Sequence, residues 1–530
     1  MNTIQRILDI LECHADRPFL IDAVNDRVFS FREFHHLASS LAVELRGRGI
    51  RRGDRIAIVL NNCVEFTMLY FACLYLGAVA VPVNPQSHKR EIEFILGHSG
   101  AKMLLYSPST KELISAELSG RDGLCPLCLL PRAEREEGCR EHDSWSIDKA
   151  GQENVEVFRP FEGVSTDDLF TITFTSGTTS LPKGVAHRID GLLQAAILFN
   201  EALDFGPADR FYHVLPMAYM AGLLNALLCP FLAGSSLVVS RAFDARLALQ
   251  FWDAPIKYKV NTLWLAPTML SVLMRIDRNL AALSYCRERI KTICVGTAPL
   301  ALKLKQEFES KYGAPLFESY GLSETLFVTT NSRKVEYMPG SVGQALPTVT
   351  LKVVDESGAE VPHEKDGEIY IRVPFLMAGY LNNETLQPDA SDLGEWFPSG
   401  DIGHTIPDGH LFITDRKKDL IIRGGVNISP RAIEDILMKH ESIDQVAVIG
   451  LPHDFYGEEV ASVVKLKAGY RLDTVRPALE RLCRENLSAI AVPTKFIELD
   501  EFPTSTMGKI QKAKLRESLA ARQVPGSQRT

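Results

Sequence analysis

The chain has 530 residues, 46% hydrophobic and 23% charged, with 58 basic against 66 acidic side chains and a formal net charge of −8. That length is too great for one hydrophobic core. The acidic balance, with no basic run and no basic–aromatic interleaving, excludes a general nucleic-acid binder. Ten cysteines in so long a chain make no dense disulfide framework and suit a reducing, cytosolic setting.

Taken in order, Met1–Leu11 sets Arg6 and Asp9 among apolar residues at helical spacing and lacks the core and cleavage site of a secretion signal. From Asp54 a regular rhythm begins, with strand Arg55–Leu60, helix Glu65–Leu76, strand Val79–Val83, helix Glu91–His98 and strand Ala101–Tyr106. It resumes with strands Leu169–Phe174, Ser236–Val239, Thr262–Leu265 and Ile290–Val295 between helical segments. Such alternation predicts α/β architecture, a large N-terminal domain of parallel sheets flanked by helices. Two uncharged stretches, Phe66–Val83 and Ala221–Val239, are long enough to span a bilayer. Gly77, Pro82, Pro230 and Gly234 interrupt them, so a buried helix followed by a buried strand is the better expectation. Cys125 and Cys128, with Cys139 and His142, have zinc-ligand spacing. A short apolar strand over Leu124–Leu130 followed by a solvated loop is the competing reading.

Between Ser341 and Thr414 the period becomes two, in Thr350–Val354, Glu368–Val373 and Leu411–Thr414, which predicts a β-rich subdomain. A smaller α+β unit follows: helix Pro430–His440, strands Gln445–Ile449 and Glu459–Leu466, and helix Thr474–Asn486. The boundary is placed at Arg416–Asp419, dividing the chain into residues 1–416 and a mobile C-terminal domain of residues 417–530.

The strongest local signal is Thr175-Ser-Gly-Thr-Thr-Ser-Leu-Pro-Lys-Gly184 after an apolar strand. Thr175, Ser176, Gly177, Thr178 and Thr179 offer amides and hydroxyls converging on a small volume, which suits phosphate oxygens, and Lys183 adds a point charge. Pro182 stands where a Walker A loop needs its second Gly.

This string resembles the phosphate loop of the acyl-adenylate-forming superfamily: acyl-CoA synthetases, firefly luciferase and peptide-synthetase adenylation domains. Tyr320-Gly-Leu-Ser-Glu324 is similar to that family's Tyr-Gly-x-Thr-Glu segment, and Trp396-Phe-Pro-Ser-Gly-Asp401 to its Trp-Phe-x-Thr-Gly-Asp segment. Asp415-Arg416 with Gly424-Gly425-x-Asn427-Ile-x-Pro430, and Pro503-x-x-x-x-Gly508-Lys509-Ile510, resemble its domain-junction and C-terminal lysine motifs. Gly77-Ala-Val-x-Val-Pro-x-Asn84-Pro85 matches a structural segment. The matches run in the family's order across nearly the whole chain and are closest to acyl-CoA synthetases.

The resemblance implies ATP, Mg²⁺ and coenzyme A as cofactors and a small carboxylic acid as substrate. The loop and Tyr320 would hold ATP, Ser323 the α-phosphate, Glu324 the Mg²⁺, and Asp401 and Arg416 the ribose. Lys509 would bridge carboxylate and α-phosphate as the catalytic cation. Lys418 would be the hinge, and Gly424, Gly425 and Tyr456 would meet coenzyme A. Tyr219, Ala221, Gly222, Gly296 and Thr297 would line the acyl pocket.

Three departures stand out. Ser180 replaces a Gly of the loop, Ala218 removes an aromatic before the position held by Tyr219, and Thr297 occupies a usual Gly position. The pocket changes suggest a roomy cavity for a fatty, branched, polycyclic or substituted aromatic acid. The alternatives are an enzyme that stops at the adenylate or delivers it to a carrier protein, a luciferase-like oxidase, and a silent ligand-binding relative. The last would be expected to lose Lys509, Glu324 or Asp401, and all three are present.

Overall fold

The computed structural model describes residues 2–114, 124–131, 134, 144–147, 158–175, 182–382, 384–504 and 510–523. The fold is mixed α/β, with a larger N-terminal part of sheets and helices and a smaller C-terminal part.

Among the described residues the larger part holds two nine-stranded sheets and one of four strands. The first sheet is parallel through Val79–Pro82, Arg55–Val59, Met103–Tyr106 and Cys125–Leu129. The second is parallel through Ser236–Val239, Arg210–His213, Thr262–Leu265, Thr292–Val295 and Leu316–Leu322. These runs are the parallel sheets that the α/β rhythm predicts, and each gives way to antiparallel pairing toward one edge. Strands Leu169–Thr175 and Lys183–Arg188 are antiparallel, as are Leu316–Leu322 and Leu326–Thr330. Their connections are hairpin loops, and a parallel crossover needs a dozen or more residues.

The two uncharged stretches resolve as buried helix and buried strand. Helix Val64–Leu76 is apolar on every side and buried along its length, and Gly77 ends it at φ +65° before strand Val79–Pro82. The second stretch forms a π-helix, Ala221–Leu228, then Cys229–Leu232, then strand Ser236–Val239. Among the described residues no helix is long and apolar enough to cross a membrane.

Cys125 and Cys128 lie on strand Cys125–Leu129. Three residues apart on a strand, they point to opposite faces and do not converge on one ion. Cys139 and His142 lie outside the described residues.

Among the described residues the smaller part holds a five-stranded sheet covered on both faces. Along strand Ile443–His453, Val446 and Val448 pack with helices Pro430–Leu437 and Leu472–Asn486, while Ala447 and Ile449 pack with helix Lys512–Gln523. The period of two sends them to the two sides. These two apolar clusters contain residues only from Ile421 onward.

Candidate active site

The hairpin Leu316–Leu322/Leu326–Thr330 carries Ser323 and Glu324 on its three-residue tip. Such a loop closes through a left-handed residue, and Leu326 takes that place at φ +56°. Gly321 is obligatory there, since a Cβ would stand 1.9 Å from the Leu326 carbonyl oxygen. Strands of the first sheet grip the tip from outside. His187 Nε2 donates to the Ser323 carbonyl at 2.7 Å, and Met377 N to the Glu324 carbonyl at 2.9 Å. Tyr380 Oη donates to Glu324 Oε1 at 2.7 Å, and Lys183 Nζ sits 4.9 Å over the Tyr380 ring. Burial holds His187 neutral, its pKa pushed down to about 4, and burial with the Glu324 charge raises the Tyr380 phenol. Ser323, Glu324 and Lys183 thus come together where the two large sheets meet.

Asp401 arrives from the four-stranded sheet. In the pairing of Phe397–Thr405 with Leu411–Arg416, Asp401 stands directly across from Arg416. Arg416 Nε lies 2.9 Å from Asp401 Oδ1, and Tyr320 Oη donates to Oδ2 at 2.7 Å. Gly400, at φ +70°, lets the chain turn so that the Asp401 amide donates to Ser399 Oγ at 3.0 Å. Burial first, then the Asp401 charge, pushes the Tyr320 phenol far above its ordinary value. The Asp401 side chain is 3% exposed and that of Arg416 48%, so a fixed carboxylate anchors a guanidinium that still reaches solvent. Two of the roughly four acceptor positions of the carboxylate are used, which leaves capacity for sugar hydroxyls.

Lys418 follows in the turn Lys417–Asp419. Desolvation, then Arg416, lowers its amine, while Asp419, Asp401 and Glu324 oppose the shift, so the amine lies within electrostatic reach of both acidic site residues. Asp415 links the two parts of the chain. Its Oδ2 accepts from Ser429 Oγ at 2.6 Å and from the Arg431 amide at 3.1 Å. Arg431 Nη1 donates to the Ile413 carbonyl at 2.8 Å. Gly424 and Gly425, at φ +58° and +83°, form a two-residue turn between Arg423 and Val426, which needs positive φ at both places. Gly424 N donates to the Tyr456 carbonyl at 2.8 Å and Arg423 lies 5.0 Å over the Tyr456 ring, so these predicted residues do assemble.

Among the residues expected to line an acyl pocket, Tyr219 accepts a hydrogen bond from Asn84 Nδ2 at 3.0 Å. Asn62 holds the same loop, donating to the Leu215 carbonyl at 2.8 Å and accepting from Met217 N at 3.0 Å. Ala221 opens the π-helix, a local geometry often met at functional sites. Gly222 contributes no room, because a Cβ there would stand 2.2 Å from the Pro216 carbonyl oxygen. Gly296 is close-packed but less tightly, its Cβ position 3.1 Å from Ser319 Oγ and from the Trp264 ring. Thr297 has φ +71°, and its buried Oγ1 has no partner. Of the phosphate loop, Thr175 ends its strand with Oγ1 3.4 Å from the Lys183 carbonyl. Ser176, Gly177, Thr178, Thr179, Ser180 and the C-terminal Lys509 lie outside the described residues.

The model of the AMP-binding enzyme family matches residues 9–381, and that of its C-terminal domain residues 432–509. The chain belongs to the AMP-binding enzyme family. It is 30% identical over 497 residues to a 2-succinylbenzoate–CoA ligase of Bacillus velezensis, covering 93% of each chain. It is also 30% identical over 509 residues to the medium-chain fatty-acid–CoA ligase of Escherichia coli, covering 93% of this chain and 86% of that one. The ATP-bound structure of MatB from Rhodopseudomonas palustris superposes with a TM-score of 0.87 at 28% identity, over 98% and 99% of the two chains.

Within this AMP-binding enzyme, the motifs do not show His187, Met377, Tyr380 or Asp415 as the groups that hold the site residues. His187 leaves one trace, a histidine directly after the buried Gly184, Val185 and Ala186 of its strand. Tyr380, between Gly379 and Leu381, leaves less.

Proposed function

We propose that the chain is an AMP-forming acid–CoA ligase, built of residues 1–416 and a rotating unit of residues 417–530. The substrate's carboxylate oxygen attacks the α-phosphorus of ATP. The bond to the β-phosphate oxygen breaks, and pyrophosphate leaves with its electron pair. The thiolate of coenzyme A then attacks the acyl carbon, the bond to the phosphate oxygen breaks, and AMP departs.

The observation that carries this reading is the meeting of three sheets around Asp401, Tyr320, Arg416 and Glu324. Asp401 has acceptor capacity for ribose hydroxyls, and Arg416 presents a cation beside it. Glu324 offers carboxylate oxygen, the donor Mg²⁺ takes, and the hydrogen bond from Tyr380 fixes its direction. Bound there, the metal would spread the charge of the triphosphate. Ser323 would meet the α-phosphate, and Lys183 with Thr175 and the 176–182 loop the outer phosphates. Holding these groups in place before ATP arrives lowers the barrier by positioning and by pre-aimed charge. Lys509 would supply the bridging cation during adenylation. Lys418 would be the hinge that replaces it with the Gly424–Gly425 turn and Tyr456 for the thioester step. Separate apolar cores on either side of residues 414–420 support such a rotation. The sparse cysteines fit action in the cytoplasm.

The test is pyrophosphate release across a panel of carboxylic acids, with and without coenzyme A, followed by product mass. Acid-dependent AMP with a coenzyme A thioester is expected. Failure of every acid to yield AMP would remove the reading, and transfer only to a carrier-protein phosphopantetheine would replace its second half.

A further inference from the structure

A second set of polar groups stands on the acid side and takes no part in the steps above. Strands Arg210–His213, Thr262–Leu265 and Thr292–Val295 are consecutive parallel neighbours. The register that sets Phe211 beside Thr262 and Tyr212 beside Leu263 carries His213 alongside Trp264. Register partners on neighbouring strands face the same side of the sheet, about 4.8 Å apart. Thr297 lies just past the end of the third strand, after the Gly296 that touches the Trp264 ring. At the other end of the row, Arg210–His213 leads into the loop bearing Tyr219, and the Gly222 backbone makes a weak hydrogen-bonding contact with the His213 ring that falls short of good geometry. The row therefore joins the two segments that frame the acid.

Every member has an unmet hydrogen-bonding group. His213 is wholly buried with no well-formed hydrogen bond at either ring nitrogen and only the Gly222 contact on one of them, while Trp264 Nε1 and Thr297 Oγ1 are buried and unpaired among the described residues. Buried polar atoms in folded proteins are almost always paired, by protein, water or ligand. Burial keeps His213 neutral, its pKa down to about 3, so one ring nitrogen donates and the other accepts. The Trp264 indole only donates. A hydroxyl placed between them would accept from Trp264 and donate to His213, and a keto oxygen would accept from both. A plain alkyl or aryl body would leave all of them unpaired. A left-handed Thr297 beside the row is the kind of backbone outlier that clusters at ligand clamps.

We propose that the acid taken by this chain carries a hydroxyl or keto oxygen on its hydrocarbon body, recognised by His213 and Trp264 with Thr297 beside them. This rests on the adenylation reading and names its substrate class.

The test uses matched triples of acids sharing one skeleton, with a methylene, a hydroxyl or a keto carbon at positions away from the carboxylate. Kinetics of pyrophosphate release and calorimetric binding are both measured on the full chain. At some position an oxygenated member is expected to exceed its methylene partner in kcat/KM by at least about a hundredfold, as sites built to hydrogen-bond do. His213→Phe and Trp264→Phe, each checked for an unchanged melting profile, should bring that ratio below about tenfold. Trp264→Phe keeps a ring while removing the N–H, so it reads the hydrogen bond if His213→Phe fails to fold. Ratios under about tenfold at every position in the native protein, in rate and in binding, would overturn the inference and leave ordered water as the row's partner. Selective binding without pyrophosphate release would fault the adenylation reading instead.

Discussion

The cleft around Asp401 and the row around His213 treat buried polarity in opposite ways. In the cleft both oxygens of a 3%-exposed carboxylate are engaged, one by Tyr320 and one by Arg416, and Glu324 is oriented by Tyr380. In the row, an imidazole, an indole N–H and a hydroxyl lack a well-formed hydrogen bond among the described residues. The first region is complete before any ligand arrives, which is how positioning and charge stabilisation are made ready in advance. The second would be completed by the proposed occupant. On the proposed reading, one chain would hold the nucleotide by rigid scaffolding and select the acid by leaving its own hydrogen bonds unfinished.

The largest effect should come from removing Lys509, the cation proposed to bridge carboxylate and α-phosphate. Lys509→Ala is expected to slow pyrophosphate release by at least about a hundredfold, the scale of one pre-aimed charge-stabilising group. Conversion of preformed acyl-adenylate to thioester, read in a single turnover, should stay within about threefold. Equal loss of both steps would break the division between a static cleft and a mobile cation. Within the cleft, Asp401→Ala should raise the KM for ATP about tenfold or more and cost about 1–3 kcal/mol in chemical denaturation, because it strands the buried Tyr320 hydroxyl. Asp401→Asn keeps an acceptor for Tyr320 and should recover most of the stability but not the KM. If both variants fell equally in stability, hydrogen bonding would not be what completes the cleft.

The row makes a prediction in pH. His213 has its folded pKa pushed below the ordinary 6.5, to about 3. As pH falls below 6.5 the unfolded chain binds the proton first, so this residue's contribution declines as pH falls toward about 3 and is fully present above 6.5. The slope is about 1.4 kcal/mol per pH unit. Replacing His213 with Phe should flatten the stability curve by that amount between pH 6 and 4, measured as the difference between the two proteins so that shared carboxylates cancel. An unchanged slope would mean that the native ring takes up a proton as easily as the unfolded one, against its burial.

The same contrast governs what could be read from the residues alone. Strands Ser236–Val239, Thr262–Leu265 and Thr350–Val354 appear where the pattern places them, since β-branched runs bounded by turns have few other solutions. The edge hairpin Pro18–Asp22/Arg27–Ser30 lies ahead of the α/β rhythm that begins at Asp54 and was not foreseen. Motifs announce Tyr320, Glu324, Asp401 and Arg416, and antiparallel register then sets Asp401 opposite Arg416. His187, Tyr380, His213 and Trp264 are single residues whose meaning depends on partners tens or hundreds of positions away, or on having none. No local spacing encodes that.

The smallest expected effect lies at Thr297. A β-branched residue at φ +71° is strained, by about 1–3 kcal/mol in such outliers, and its hydroxyl is buried without a partner. Glycine removes both penalties but adds conformational freedom to the unfolded chain, which takes back part of the gain. Thr297→Gly should therefore stabilise the protein by a net of about 1 kcal/mol while weakening preference for an oxygenated acid by a few-fold. Stability rising as selectivity falls would mark the residue as one kept for recognition at a cost in strain. If instead the variant lost stability, Thr297 would be held by packing that outweighs its strain, and the unfinished row would begin at Trp264.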